Sequence, residues 1–378
     1  MSIINEAKMI EILSSAKNVL LLEPPFVRRH IPLGLSKIAS FLKRKNINVE
    51  YSRSPVNKNF DLICVSTIFT TDSEIVIKTI KQCQSNLILR NTPILVGGIF
   101  ASLMSDYLDE QTNKKVNIFA GYSPILDSYI PDESLDWQIK DFFKDVMTIF
   151  TQRGCPNKCG FCMVHKLESH YKILPKWRET IEKTGKSVCQ ISDNNLLYAP
   201  LKHVQDVIET LNKNKKLVIL NNGVDCELIN DENAKLLASL KYVRNGFRTA
   251  FDDMSQDGHY QKAMEKMINA GFKFSGKSYT YILFNFNDTP QEAYYRVKEA
   301  WKFKSNPYFM KFRPLNQLTK KNSYVGKYWS ENLLRAFKNY GEIYGYNRGD
   351  RTFESYSINE KSKIKLTDED WEKWNFKR

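Results

Sequence analysis

The sequence predicts an α/β protein: an N-terminal flavodoxin-like parallel sheet followed by a partial (β/α)6 TIM-type barrel. Three observations carry this expectation. Apolar runs of strand length alternate with helical patterns up to about residue 125, a second alternation of the same kind starts at Val146, and glycine-rich or polar clusters follow the strand runs in both. When apolar strands alternate with helices, each crossover returns over the sheet, so the strands run parallel and both faces are covered.

Taken in order, Val19–Leu22 is a buried strand run stopped by Glu23-Pro24-Pro25. After Pro32-Leu33-Gly34 a helical pattern places Leu35, Ile38, Ala39 and Leu42 on one side and ends in Lys43-Arg44-Lys45-Asn46. Asn48–Tyr51 and Asp61–Ser66 are the next strands, the latter followed by a helix for which Ser73 or Asp72 is the expected N-cap. Ile94–Val96 runs into Gly97-Gly98, and Val116–Ala120 ends at Gly121. Ligands of such sheets sit at the carboxyl ends of the strands, here Pro24-Pro25, Ser66-Thr67, Gly97-Gly98 and Gly121-Tyr122.

An acidic, proline-punctuated stretch then separates the two alternations. The expected division is residues 1–124 for the first half, 125–145 for the connector, 146–320 for the barrel and 321–378 for a helical extension. The barrel strands are read at Val146–Phe150, Val188–Ser192, Leu217–Leu220, Phe247–Phe251, Tyr279–Phe286 and Tyr308–Phe312. Six units, relative to the eight of a closed barrel, predict an open one with its chemistry where strands end. Asp193-Asn194-Asn195, Asn221-Asn222-Gly223-Val224-Asp225, Arg248, Asp252-Asp253, Asn285 and Lys311-Phe312-Arg313 stand at those ends. Trp371 and Trp374 near the end of the chain are read as packing a closing helix.

Directly after the first barrel strand comes Gly154-Cys155-Pro156-Asn157-Lys158-Cys159-Gly160-Phe161-Cys162. Glycine and proline keep this stretch out of regular structure and bring three thiols within reach of one inorganic centre. Iron–sulfur clusters are normally held by four cysteines, so three ligands leave one iron open to something else. Two plainer readings stand beside this one: a tetrahedral structural zinc on the three cysteines and His165, or unligated thiols on a loop. Cys64, Cys83, Cys189 and Cys226 are scattered singly and read as buried structural thiols. His165 and His170, just past the loop, read as packing or surface residues.

The loop resembles the signature of the radical S-adenosylmethionine (SAM) enzymes, including the aromatic Phe161 before the third cysteine. The resemblance implies a [4Fe-4S] cluster on Cys155, Cys159 and Cys162 and SAM bound at its open iron. It implies reductive cleavage of SAM to a 5′-deoxyadenosyl radical, and hydrogen abstraction from a substrate. It also implies an electron donor such as flavodoxin or ferredoxin. By the same resemblance Phe161 flanks the adenine, and Asp193 or Asn194 approaches the methionine amino group. Arg248 is the implied partner of the methionine carboxylate, a pairing that suits guanidinium geometry. Asn222, Asp225 and Asn285 are the implied ribose contacts.

The Pro24-Pro25 turn, Pro32-Leu33-Gly34, Val65-Ser66-Thr67 and Gly97-Gly98-Ile99-Phe100-Ala101 resemble the cobalamin-binding domain that precedes many radical SAM enzymes. That resemblance spans about residues 18 to 124. The Asp-x-His-x-x-Gly signature, whose histidine ligates cobalt, is absent, and His30 stands in a different context. A domain that holds cobalamin implies methyl transfer; an empty one leaves rearrangement, oxidation or another carbon-centred reaction open.

Composition bounds the rest. In 378 residues, a hydrophobic fraction of 42% supports a sizeable core and argues against disorder. Seven cysteines in a chain of this length are no disulfide framework. No charged-then-apolar leader and no apolar run of membrane-spanning length is seen, so the expectation is a cytoplasmic protein without a membrane partner. The net charge of +14 comes mostly from lysines interspersed with asparagine and isoleucine, without an arginine-rich run. It keeps one alternative of another class in view, a zinc-stabilised basic nucleic-acid-binding protein without catalysis. The sequence does not choose between a small molecule, a peptide and RNA as substrate.

Overall fold

Side-chain parity builds the first sheet. In the strand Asn18–Leu22, Leu20 and Leu22 enter one core while Val19 and Leu21 enter the other, all four fully buried. The same sorting separates Ile63 and Val65 from Leu62 and Cys64 in Leu62–Thr67. A strand buried on both faces reads as a continuous apolar run, which is why these segments were legible.

The computed structural model describes residues 2–27, 30–168, 170–321, 323–346, 351–358 and 364–376, without the Phe142 side chain. Part of the charged tail from Lys361 to Arg378, including both of those residues, lies outside the described residues. The first sheet comprises β1 (Ile3–Ile4), β2 (Asn18–Leu22), β3 (Asn48–Ser52), β4 (Leu62–Thr67), β5 (Ile94–Gly98) and β6 (Asn117–Phe119). Its order is β1-β6-β5-β4-β2-β3, and every ladder is parallel. Setting β1 aside, this is the 2-1-3-4-5 order of flavodoxin-like sheets, as expected. The order reverses between β2 and β4, so a crevice opens outside their carboxyl ends.

At the start of the chain, β1 and the helix Glu6–Ser15 went unread. Two residues are too few for periodicity, but the helix carried a signal. Asn5 caps it by accepting the Lys8 N–H at 2.9 Å, and Met9 and Leu13, four apart, are its buried pair. Of the two residues expected to cap the helix Ser73–Ser85, Asp72 holds the position. It does so without a side-chain bond to the helix, and the Ser73 hydroxyl donates to the Leu318 carbonyl at 2.8 Å. A 3-10 turn over Thr70–Asp72 leads in and satisfies the first donors differently.

At the end of β5, Gly98 adopts φ +112°, and a Cβ there would lie 2.0 Å from the Thr67 carbonyl oxygen. Glycine is required at this point, where β5 turns beside the end of β4. The Thr67 hydroxyl fastens the turn, donating to the Gly97 carbonyl and accepting the Ala101 N–H, both at 3.0 Å.

Residues 124–145 lie along the first sheet's helix Leu33–Arg44. Lys37 forms a buried ion pair with Asp127 at 2.6 Å, and Ser40 donates to the Ile130 carbonyl at 2.6 Å. Trp137 is buried against the Tyr51 ring, 4.8 Å between centroids.

The barrel strands are β7 (Val146–Ile149), β8 (Val188–Ile191), β9 (Leu217–Leu220), β11 (Phe247–Ala250), β12 (Ser278–Phe284) and β13 (Asn306–Lys311), with a short β10 (Lys241–Tyr242) beside β9. All six expected strands are present; β10 was not expected. They form a four-stranded sheet, β10-β9-β8-β7, and a three-stranded sheet, β11-β12-β13. A parallel bridge from Val224 to Thr249 and a bond from the Leu220 N–H to the Gly246 carbonyl at 2.8 Å join them. Helices follow strands as expected, among them Leu201–Lys213, Asp231–Ala238, His259–Asn269, Pro290–Lys302 and Glu331–Tyr344. Pro290 opens its helix behind a reciprocal Thr289–Glu292 cap. Trp374 packs on Phe353 with centroids 4.2 Å apart, bearing out its reading as a packing residue.

By contact density the chain forms two interleaved units: Met1–Thr148 with Cys162–Lys186 and Pro314–Asn322, and Ile149–Phe161 with Ser187–Arg313 and Ser323–Arg378. Among the described residues, no helix is long and apolar enough to cross a membrane.

Candidate functional site

The three loop cysteines differ from the other four. Cys155, Cys159 and Cys162 are each half-exposed, whereas Cys64, Cys83, Cys189 and Cys226 are buried, as expected of structural thiols. Burial alone pushes the Cys83 thiol up to about 11 and, aided by Asp225 and Glu227, that of Cys226 up to about 12. Such thiols are inert, because only a thiolate binds metal or attacks. Among the described residues, no three cysteine, histidine or acidic side chains are gathered at metal-holding distances.

Amide groups accompany two of the loop sulfurs. The Val164 N–H points at Cys162 Sγ at 3.5 Å, and Asn195 Nδ2 lies 4.0 Å from Cys155 Sγ. N–H donors toward sulfur stabilise a thiolate and tune any cluster it holds. In donor chemistry the loop therefore fits an iron–sulfur group: three accessible thiols, two with amide donors.

The loop is anchored to the barrel at two points. Phe161 packs edge-on against Phe286 with centroids 5.7 Å apart, and a Cβ on Gly160 would come within 3.3 Å of that ring. Asn157 Nδ2 donates to Asp225 Oδ2 at 2.9 Å, and Asn195 Nδ2 reaches the same oxygen at 3.3 Å. Asp225 thus joins the loop to the ends of β8 and β9, while its Oδ1 caps the following turn at Glu227.

Asp193, just beyond β8, is buried and turned toward the end of β7. It accepts the Thr151 and Gln152 N–H groups at 2.5 and 3.2 Å as well as the Thr151 hydroxyl. Burial nevertheless pushes its carboxyl up to about 6, because those hydrogen bonds and the Arg153 charge offset only part of the desolvation. An unfolded aspartate titrates near about 4. Between that pH and about 6 the folded state holds the extra proton, so stability falls as pH rises through the window and levels off above it. The full contribution is about 3 kcal/mol. Asp193→Asn protein is expected to lose this share of the pH dependence in urea unfolding between acidic and neutral pH. An unchanged slope would assign the titration to another group.

The other expected residues are distributed as follows. Asn194 lies half-buried beyond β8. Asn222 is exposed and donates to the Ser192 carbonyl at 2.7 Å. Arg248 directs Nη1 to Tyr281 Oη at 2.9 Å and to Asn221 Oδ1 at 3.1 Å. Asn285 is fully buried with φ +70°; its amide donates to the Tyr324 carbonyl at 3.1 Å and its Oδ1 accepts the Gly326 N–H at 2.7 Å. It pins the segment after the barrel.

Sequence reasoning gave no role to Gln152 or to Asn195, the neighbour of Cys155. Gln152 and Asn195 are buried, and Gln152 Nε2 donates to the Asn195 carbonyl at 2.6 Å. Gln152 Oε1 and Asn195 Oδ1 are both buried acceptors without a hydrogen-bond partner. Leaving such groups unmet costs about 1–3 kcal/mol each, so the pair calls for a donor. Asn195 was visible in the strand-end polar run; Gln152, inside an otherwise unremarked turn, gave no signal. Asp252, past β11, was also visible. Its Oδ1 accepts the Leu283 N–H at 3.0 Å, and burial pushes the carboxyl up to about 6 against the pull of Arg296.

No protein-family model matches the sequence, and no curated protein matches it. Solved structures do share its fold. One is the radical S-adenosylmethionine methyltransferase TsrM from Kitasatospora setae with cobalamin and [4Fe-4S] cluster bound, 13% identical, TM-score 0.62, covering 80% of this chain and 77% of that one. Another is the same enzyme with tryptophan substrate and the SAM analog aza-SAM bound, 12% identical, TM-score 0.61, covering 80% and 75%. The parallel α/β sheet and the partial barrel described above are thus a known pairing of folds.

Proposed function

We propose that this chain is a radical SAM enzyme, with methyl transfer as the leading outcome. The observation that carries the reading is the three half-exposed thiols at Cys-x3-Cys-x2-Cys, on a loop anchored at the strand ends of a partial barrel. The fold shared with a radical S-adenosylmethionine methyltransferase structure that has cobalamin and a [4Fe-4S] cluster bound supports it. Cys155, Cys159 and Cys162 would hold the [4Fe-4S] cluster. Cluster and SAM together would supply one-electron chemistry directed at an unactivated C–H bond.

The chain's own groups bind and orient. Gln152 Oε1 and Asn195 Oδ1, two buried acceptors without a donor, would be the groups to receive hydrogen bonds from the amino group of SAM. Phe161, held edge-on by Phe286, covers one side of the loop and excludes water. Asn194 and Asn222 are the remaining polar candidates for SAM, while Asp193, Asp225 and Asn285 hold the strand ends in register.

In the first unit, the Ser66 hydroxyl at the carboxyl end of β4 is buried without a partner, beside the crevice where the strand order reverses. That orphaned group and the glycine turn at Gly98 fit a bound cobalamin. An electron donor such as flavodoxin or ferredoxin and a cytoplasmic setting belong to the same reading.

Anaerobic purification tests it. The expected result is a brown protein that bleaches with dithionite, forms 5′-deoxyadenosine from SAM, and retains a corrinoid through gel filtration after reconstitution with hydroxocobalamin. A colourless protein with one bound zinc would overturn the reading in favour of a zinc-stabilised nucleic-acid-binding protein. A brown, SAM-cleaving protein that retains no corrinoid would remove the methyl transfer and leave the radical chemistry.

A further inference from the structure

Resting on that reading of the barrel, we infer that its substrate is a planar aromatic molecule carrying an anionic group, seated on a wall of tyrosines beside Arg248. The wall comes from the parity of β12 and β13. Thr280, Ile282 and Phe284 face the surrounding helices: Thr280 bonds Tyr260 at 2.8 Å, and Phe284 packs on Phe337 with centroids 5.2 Å apart. Phe309 faces the same way, 5.1 Å from Phe337. The alternate residues Tyr279, Tyr281, Tyr308 and Met310 therefore share the concave side of the barrel.

In a closed barrel such positions fill one another. Here Tyr308 is 44% exposed and Met310 40%, although Tyr279 and Tyr281 each stand with their rings 5.6 Å from Tyr308. Tyr346 extends the group, with its ring 6.1 Å from Tyr279 and their hydroxyls hydrogen-bonded. Aromatic faces left open beside one another favour a planar ring, which adds stacking to the burial of apolar area.

Charge selects among planar ligands. An all-tyrosine wall would also suit a quaternary ammonium. But Arg248 lies in it, its guanidinium 5.9 Å from the centre of the Tyr279 ring and bonded to Tyr281. Its hydrogen-bond partners are neutral: the carbonyls of Asn245 and Asn221, the Asn221 side chain and the Tyr281 hydroxyl. No ion pair with a described carboxylate involves it. A half-buried guanidinium without a counter-ion attracts an anion and repels a second cation.

Equilibrium dialysis of the purified full-length protein with three small probes tests this without requiring turnover. Indole-3-acetate is expected to bind saturably, cyclohexaneacetate about tenfold more weakly, and benzyltrimethylammonium not at all. Tyr308→Leu protein should lose about tenfold in affinity for indole-3-acetate, and Tyr308→Phe should retain it. Equal binding of the aromatic and saturated acids, preference for the cation, or full retention by Tyr308→Leu would each overturn the inference. So would displacement of indole-3-acetate by saturating SAM, which would give Arg248 to the methionine carboxylate. Because 5′-deoxyadenosine formation is measured separately, failure of the probes and failure of the radical SAM reading are distinguishable.

Discussion

Cys159→Ala protein is expected to lose its visible chromophore and to form 5′-deoxyadenosine only at background. Three thiols leave a [4Fe-4S] cluster one open iron, so removing one would take away the centre at which the proposed function has SAM bind. The loss should be all-or-none, because a cofactor that carries the chemistry cannot be partly replaced by the protein around it. Cys155→Ala and Cys162→Ala should behave alike. Cys64→Ala is the internal control: that thiol is buried in the first sheet's core, and its removal should cost stability while leaving colour and cleavage intact. Retention of SAM cleavage by Cys159→Ala at the parent rate would end the functional proposal, whatever the fold.

The largest expected loss of stability follows Arg296→Met. Arg296 is fully buried on the helix Pro290–Lys302, where its guanidinium donates to the carbonyls of Phe251, Asp252 and Leu283 at 3.0, 2.7 and 2.7 Å and pairs with Asp288 at 2.5 Å. These contacts tie the ends of β11 and β12 together. Removing one partner of a buried pair leaves the other charge uncompensated, at about 3–5 kcal/mol, and here three carbonyls lose their donor as well. Against a typical total of about 5–15 kcal/mol, that is enough to unfold a marginal protein. Burial already pushes the Asp288 carboxyl up, with Arg296 pulling it back; without Arg296 it should take up a proton more readily. Asp288→Asn in the Arg296→Met background should therefore recover part of the loss. Urea unfolding curves of the single and double variants check both points. A single variant within 1 kcal/mol of the parent would show that the pair is dispensable.

Arg296 also marks where the sequence stops being readable. It sits in Pro290-Gln-Glu-Ala-Tyr-Tyr-Arg-Val-Lys-Glu-Ala, where a basic residue among charged neighbours looks like part of a solvated face. Only the packed structure turns that position toward three strand-end carbonyls. The strands were easier, because doubly buried runs such as Asn18–Leu22 announce themselves, whereas Ile3–Ile4 and Lys241–Tyr242 are too short to show a pattern. At the candidate site the cysteine spacing set the loop apart in the sequence, since a proposed ligand set is written in residue type and interval. The roles of the strand-end residues were not. Asp193 and Asn285 were visible as polar residues in the right places, yet their side chains bond backbone rather than open space. That direction depends on a rotamer and, for Asn285, on a left-handed backbone, neither of which composition encodes. The orphaned oxygens of Gln152 and Asn195 emerge only when every donor nearby has been counted.

The interleaving of the two units bears on how this molecule matures on the ribosome. The Met1–Thr148 segment receives Cys162–Lys186 when only the first barrel strand has emerged, but its last piece, Pro314–Asn322, follows the final barrel strand, Asn306–Lys311. Until Leu318 arrives, the Ser73 hydroxyl has no carbonyl to meet and one edge of the first core stays open to water. Severing the gene at any single codon would therefore split one unit or the other, and neither half could be transplanted whole into a different protein.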